Sequence, residues 1–155
     1  MDATIRAIAR IAEQEFRGPS LMGQPLMPYL RSLAFEKAAY DGTTEGYTAW
    51  GVALHLLYHK YLAIQLIGGD EGLAPFPYEA ADWPSLPERR DRTAWHLLLD
   101  ELEAMHARFI AALGRFPMSR WDELLPAWNC TVGQVLDCMA CHDLYHVAQM
   151  RNMGL

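Results

Sequence analysis

Residues 131–153 read TVGQVLDCMACHDLYHVAQMRNM and contain the clearest helix-start signal of the chain. Thr131 is followed three positions later by Gln134, the pattern of a capping box, in which each side chain binds a backbone amide that the first turn of a helix leaves free. The stretch therefore predicts a long helix that begins at Thr131 and continues to about Met153.

Three further segments show the apolar periodicity of helices. The first covers residues 3–17, with Asp2 as its predicted N-cap. The second covers residues 45–67, and the third residues 90–115. Each ends at a glycine or a proline, which are the strongest helix-stop signals.

The connections between these helices are long and irregular. Residues 21–44 contain two prolines, and only a short helix near residues 33–40 is expected there. Residues 72–88, GLAPFPYEAADWPSLPE, contain four prolines and should lie across one end of the domain. No strand-like alternation or internal repeat is seen. We therefore predict a single all-α domain over residues 1–155, a four-helix bundle with long connecting loops after helices 1 and 2.

Composition and charge exclude several classes of function. The chain has 155 residues, of which 52% are apolar and 21% charged, as in a folded globular protein. The net charge is -6 and the few basic residues are scattered, so nucleic acid is not expected as a partner. The N-terminal stretch lacks the apolar core of a secretory signal, and the most apolar run, residues 49–57, is too short to span a membrane. A cytoplasmic protein without a membrane partner is expected.

The three cysteines are odd in number, and disulfides are not expected in a chain without an export signal. Cys138 and Cys141 form a C-x-x-C pattern but lack the strand-then-helix context of redox proteins. We expect reduced, buried cysteines with a structural role, Cys138 being also a lesser candidate for an auxiliary metal ligand.

The second predicted helix is apolar on nearly all sides. One face contains Trp50 and Leu54, and another contains Val52 and Leu62. Because one face of each helix in a four-helix bundle should meet water, a second apolar face predicts a homodimer formed through this helix. The alternative is that the long loops cover it.

His142 and His146 are the strongest candidates for chemistry. Four residues apart on a helix, they project from one face, and this spacing lets two imidazoles reach one metal ion. Apolar residues lie along the same stripe, so both rings should point inward. Buried imidazoles need partners for their nitrogens, and a metal ion would satisfy one nitrogen of each ring. The alternative is a pair of core histidines bonded to carbonyls or carboxylates.

A third ligand must come from another helix. His55 lies in the middle of the second helix, one turn after Gly51, whose small size leaves room for an approaching helix or ligand. His59, one turn further along, is the main rival. His96 and His106 on the third helix are lesser candidates.

Several separated motifs resemble the DinB/YfiT-like metal-binding superfamily. They are CHDLYHVAQM at residues 141–150, TAWGVALH at residues 48–55, LIGG at residues 66–69 and DWP at residues 82–84. Trp95 and Thr131 also stand where that family places such residues at helix starts. The resemblance implies a DinB-like bundle that binds one divalent metal ion through His55, His142 and His146. His59 departs from the family pattern, in which this position is commonly aromatic, and is either a pocket residue or an extra ligand or base.

Three histidines leave a metal ion with open positions, which is typical of catalytic or substrate-binding sites. Zinc, nickel, iron(II), manganese and cobalt all accept imidazole ligands, and the sequence does not choose among them. The resemblance implies a low-molecular-weight-thiol S-transferase of detoxification or stress response, with a small thiol and an electrophile as substrates. A metal-dependent hydrolase and a non-catalytic, dimeric metal- or ligand-binding stress protein are the alternatives.

Four further residues are candidates for the pocket or for contacts that orient the ligands: His59, Asp143, Tyr145 and Gln149. Asp143 either accepts an imidazole N–H or is a solvated carboxylate. A catalytic protein should show a pocket with polar groups beside the metal position, whereas a binding module should have the metal sealed by side chains.

Overall fold

The computed structural model describes residues 1–69 and 71–155. These residues form six α-helices and one short antiparallel ribbon. The helices are α1 Ala3–Phe16, α2 Leu26–Ser32, α3 Phe35–Ala38, α4 Ala49–Leu66, α5 Arg92–Leu113 and α6 Val132–Asn152, and the strands are β1 Leu124–Leu125 and β2 Cys130–Thr131. The prediction of a mostly helical chain is confirmed.

Side-chain caps fix the starts of the four long helices. The Asp2 carboxylate accepts a hydrogen bond from the backbone of Thr4, and Asp91 caps α5 in the same manner. Both halves of the predicted capping box form at Thr131. The predicted start of the second helix at residue 45 was too early, because Thr48 is the N-cap of α4 and accepts from the Gly51 amide.

The first connection is more ordered than predicted. Helix α2 was missed because Pro25 and Pro28 suggested irregular structure. Pro25 is the N-cap, and Pro28 lies in the first turn, where a backbone N–H has no partner within the helix in any case. Helix α3 lies inside the segment predicted as a short helix.

The ribbon corrects the expectation of no strands. Leu124 pairs with Thr131 and Leu125 with Cys130. Strands of two residues are too short to show alternation, so no periodic signal could reveal them. The ribbon leads the chain into the N-terminus of α6. There the Trp121 ring lies against Gly133, where a Cβ atom would come within 2.3 Å of it.

Helix α4 packs against α5 and α6, and α1 packs against α6 and α5. The connection after α4 folds back over it: the ring of Phe76 lies 5.1 Å from that of Tyr58 and 5.3 Å from that of Tyr61. Tyr58 lies on the same predicted apolar face as Val52 and Leu62, so this loop covers part of the face assigned to a homodimer. The dimer stays a prediction. Among the described residues, no helix has the length and apolar character needed to cross a membrane.

Candidate metal centre

The structure brings His55, His142 and His146 together between α4 and α6. The Nε2 atom of His142 lies 3.3 Å from that of His55 and 3.1 Å from that of His146. His55 and His146 are buried, and His142 is half-buried. The three side chains are therefore close enough to hold one metal ion.

A backbone carbonyl fixes the proton on His55. Its Nδ1 lies 2.6 Å from the carbonyl oxygen of Asp82, which can only accept, so this nitrogen donates and carries the hydrogen. The neutral ring then has an unprotonated Nε2, whose lone pair faces the other two histidines. The indole of Trp83 stacks on the His55 ring at 4.2 Å and holds its plane.

A chain of hydrogen bonds fixes the proton on His146. The Gln149 amide donates from Nε2 to the Glu45 carboxylate at 2.8 Å, which turns its oxygen toward the histidine. His146 Nδ1 donates to that oxygen at 2.7 Å. The Nε2 of His146 therefore also presents a lone pair to the centre of the cluster.

His142 cannot donate a hydrogen to both of these lone pairs. With a hydrogen on Nε2 it can donate to only one of its neighbours, and with the hydrogen on Nδ1 it adds a third lone pair. Its Nδ1 is buried and has no hydrogen-bond partner among the residues that the structure describes. Two nitrogens bound to one tetrahedral zinc ion lie about 3.3 Å apart, given zinc–nitrogen bonds of about 2.0–2.1 Å. The observed separations match this geometry, so the donor set fits a divalent cation.

The environment keeps the three rings neutral, which is the form that binds metals. Burial lowers the pKa of His142 to about 2 and that of His146 to about 4, and repulsion from the neighbouring histidines adds to the shift of each. Burial also lowers the pKa of His55, although its hydrogen bond to Asp82 acts in the opposite direction.

His59 stands beside the cluster and is bonded to a carboxylate. Its Nε2 lies 2.7 Å from Asp82 Oδ1, and its ring centroid is 5.0 Å from that of His142. His55, His59 and Asp82 form a second group whose ligand atoms lie near one another. Asp82 thus contacts both histidines of α4, through its carbonyl and its carboxylate.

The two histidines of α5 lie apart from this cluster. His96 is exposed. His106 is fully buried and stacks on Phe16 at 3.7 Å, and neither of its ring nitrogens is hydrogen-bonded to any residue in the described ranges. Burial lowers the pKa of His106 to about 2, and the charges of Lys60 and Arg17 act in the same direction.

Both predicted roles for Asp143 were wrong. Its carboxylate neither contacts an imidazole nor meets solvent, but forms a buried ion pair with Lys60. Helix geometry explains this: Asp143 is turned about 100° from His142, away from the cluster and into the core. No local pattern links Lys60 to Asp143, because the two residues are 83 positions apart in the chain.

The expectation of buried cysteines was also wrong. Cys138 and Cys141 are exposed and Cys130 is half-buried. Tyr145 is exposed, and its ring packs edge-on against His146 at 4.9 Å. Gln149, predicted as a pocket or orienting residue, contacts His146 directly.

A pocket of about 470 Å³ opens on the histidine cluster. Besides the three histidines, it is lined by Trp83, Cys138, Cys141 and Tyr145, so its wall beyond the imidazoles is aromatic and sulfur-bearing. A second pocket, of about 350 Å³, adjoins it; His142 and Cys138 line both, and His59 lines the second. The cluster is therefore open on one side.

Sequence reasoning missed two residues that orient the ligands. Glu45 was assigned to a helix but lies in the loop before α4, and no local signal marks it as a partner of Gln149. Asp82 was noted only as part of the DWP motif. Compared with known protein families, curated proteins and solved structures, the chain matches none.

Proposed function

We propose that this chain binds one divalent metal ion through the Nε2 atoms of His55, His142 and His146. The observation that carries the proposal is the proton count: two rings have their hydrogens fixed on Nδ1, so at least two lone pairs converge with at most one hydrogen between them. A cation at the centre resolves this, whereas the alternative of ordinary core histidines leaves it unresolved. The motifs shared with DinB/YfiT-like proteins support the same ligand set, and a DinB-like four-helix bundle is part of the proposal.

We further propose that the site is catalytic. A purely structural site is closed by four protein ligands, whereas this one has three and faces a pocket large enough for a small molecule. A divalent ion held there would act as a Lewis acid and lower the pKa of a thiol or water that reaches it. Each histidine supplies one nitrogen, and Asp82 and Gln149 hold two of the rings in the required tautomer.

The reaction we propose is the transfer of a low-molecular-weight thiol to an electrophile. The sulfur forms a bond to the electrophilic carbon, and the thiol proton and the leaving group depart. The wall of Trp83, Tyr145 and the two cysteines contains no acidic or basic side chain and suits a neutral, apolar electrophile. His59, bonded to Asp82 and facing the adjoining pocket, is placed to hold the released proton. The resemblance to thiol-dependent DinB/YfiT-like enzymes supports this choice.

Elemental analysis of tag-free protein tests the metal site. We expect about one divalent ion per chain in the wild type, and loss of the ion in His55→Ala and in His142→Ala. His96→Ala is the matched control, because His96 is an exposed histidine remote from the cluster, and it should retain the ion. A wild-type protein without metal even after reconstitution would reduce the histidines to core polar residues.

Thiol consumption then tests the reaction. Metal-loaded protein is incubated with a small thiol and a neutral alkylating agent, with zinc, nickel, iron(II), manganese and cobalt compared in turn. Turnover should require the metal and disappear in His55→Ala. Full metal occupancy without turnover for any thiol–electrophile pair would instead favour a binding protein.

A further inference from the structure

A buried ion pair lies directly behind the histidine cluster. The Lys60 ammonium is 2.8 Å from both carboxylate oxygens of Asp143, and both side chains are essentially without solvent exposure. The rings of Phe16 and Phe109 approach the ammonium at 5.1 and 6.0 Å and help to enclose it. The pair is therefore fully desolvated, with a bidentate contact.

The pair joins the two helices that supply the metal ligands. Lys60 is on α4, five residues after His55, and Asp143 is on α6, next to His142. Helix α4 thus contacts α6 through histidines on one side and through this ion pair on the other. A shift of either helix by one residue would move its ligands by about 1.5 Å and rotate them by about 100°.

Stability alone does not account for this arrangement. Desolvating two charges is costly, and replacing a buried ion pair by apolar side chains of similar size is often neutral or stabilising. Because the ammonium and the carboxylate are both enclosed in the core, however, moving one helix against the other would separate them and leave buried charges unpaired. A metal site likewise tolerates ligand distances only within about 0.2 Å. The role that remains is to fix the position of one helix relative to the other.

We propose that Lys60 and Asp143 are positioning residues for the metal centre: their ion pair sets the register of α4 against α6, so that His55 meets His142 and His146. The inference rests on the proposed metal binding. Neither residue touches the metal position or the pocket, and both act through the helices that carry the ligands.

Cobalt(II) titration of the full-length protein tests the proposal, since its visible absorption reports coordination geometry. The key variant is Lys60→Met/Asp143→Leu, which removes both charges and leaves neither unpaired. We expect it to fold with an unfolding midpoint close to that of the wild type, yet to bind cobalt about 10–100-fold more weakly and with altered absorption bands. A role only in stability would leave the affinity and the spectrum unchanged, and that result would overturn the proposal.

Two further variants complete the experiment. Arg31→Gln/Glu103→Gln breaks an exposed ion pair between α2 and α5 and should leave cobalt binding unchanged. Asp143→Glu retains both charges but lengthens the side chain by one methylene. It should weaken cobalt binding, and it tests the proposal even if the double variant fails to fold. Unchanged cobalt binding in Asp143→Glu would count against the proposal. A wild-type protein that binds no cobalt would refute the proposed function itself, whereas wild-type binding equalled by the variants would refute only the positioning role.

Discussion

The histidine cluster and the Lys60–Asp143 pair are two buried polar groups between the same helices, and they differ in whether they are complete. The ion pair satisfies itself, with the ammonium hydrogens facing two carboxylate oxygens at 2.8 Å. The histidine cluster does not, because its lone pairs exceed the hydrogens available between them. A buried polar group whose members satisfy one another indicates a structural role. Lone pairs that converge without enough hydrogens between them indicate a bound cation.

The largest expected effect comes from making the ion pair incomplete. Lys60→Met leaves the Asp143 carboxylate buried without a partner, so we expect the free energy of unfolding to fall by about 3–5 kcal/mol. Denaturant unfolding of metal-free protein measures this. Lys37→Met, which removes an exposed lysine on α3, should change stability by less than about 0.5 kcal/mol.

A loss below about 1 kcal/mol for Lys60→Met would mean that Asp143 finds water or a proton at little cost. The Lys60–Asp143 pair would then not be a rigid contact in which each charge depends on the other.

The second-largest expected effect comes from removing the contact that orients the His146 ring toward a cation. Gln149→Leu removes the acceptor that fixes the hydrogen of His146 on Nδ1. We expect zinc affinity, measured by competition with a chromophoric chelator, to fall about 10–100-fold. Gln65→Leu is the control, since Gln65 is an exposed residue at the end of α4 whose side-chain amide donates to the Tyr61 hydroxyl. Equal zinc affinity in Gln149→Leu would show that the second ring needs no orienting partner.

The features of the histidine cluster that depend on local periodicity could be predicted from the sequence. The capping box at Thr131 and the four-residue spacing of His142 and His146 follow directly from helix geometry, so the start of α6 and the juxtaposition of these two rings could be foreseen. The choice of His55 over His59 required the resemblance to DinB/YfiT-like proteins. The two histidines are one turn apart on the same helix face, so spacing alone does not distinguish them.

The remaining parts depend on contacts between distant segments. Glu45 reaches Gln149 from a loop, and Asp82 reaches His55 and His59 from another. The partner of Asp143 could not be foreseen either, because a lysine among apolar residues looks the same in sequence whether it is solvated or paired. The cysteines were wrongly predicted to be buried, because the residue type alone does not show which side of α6 faces a pocket.

The smallest effect tests whether a missing partner is by itself enough to define a site. Among the described residues, His106 has no hydrogen bond to either ring nitrogen and His142 has none to its Nδ1, but no other imidazole converges on His106. Its neighbours are Phe16, Phe109, the Glu13 carboxylate at 3.5 Å and the charges of Lys60 and Arg17. We therefore expect His106→Phe to leave metal content unchanged and to cost little stability at pH 7, since the stacked ring is kept.

The variant should instead change how stability depends on pH. The unfolded chain protonates His106 near pH 6.5, whereas burial delays protonation in the folded chain to about pH 2. The stability from neutral His106 is thus fully present above pH 6.5 and falls by up to about 1.4 kcal/mol per pH unit below it. Unfolding of wild type and His106→Phe from pH 7 to pH 4 measures the difference, and the variant should have the shallower slope. Equal slopes would mean that His106 takes up its proton in the folded state, using Glu13, and is not an isolated neutral ring.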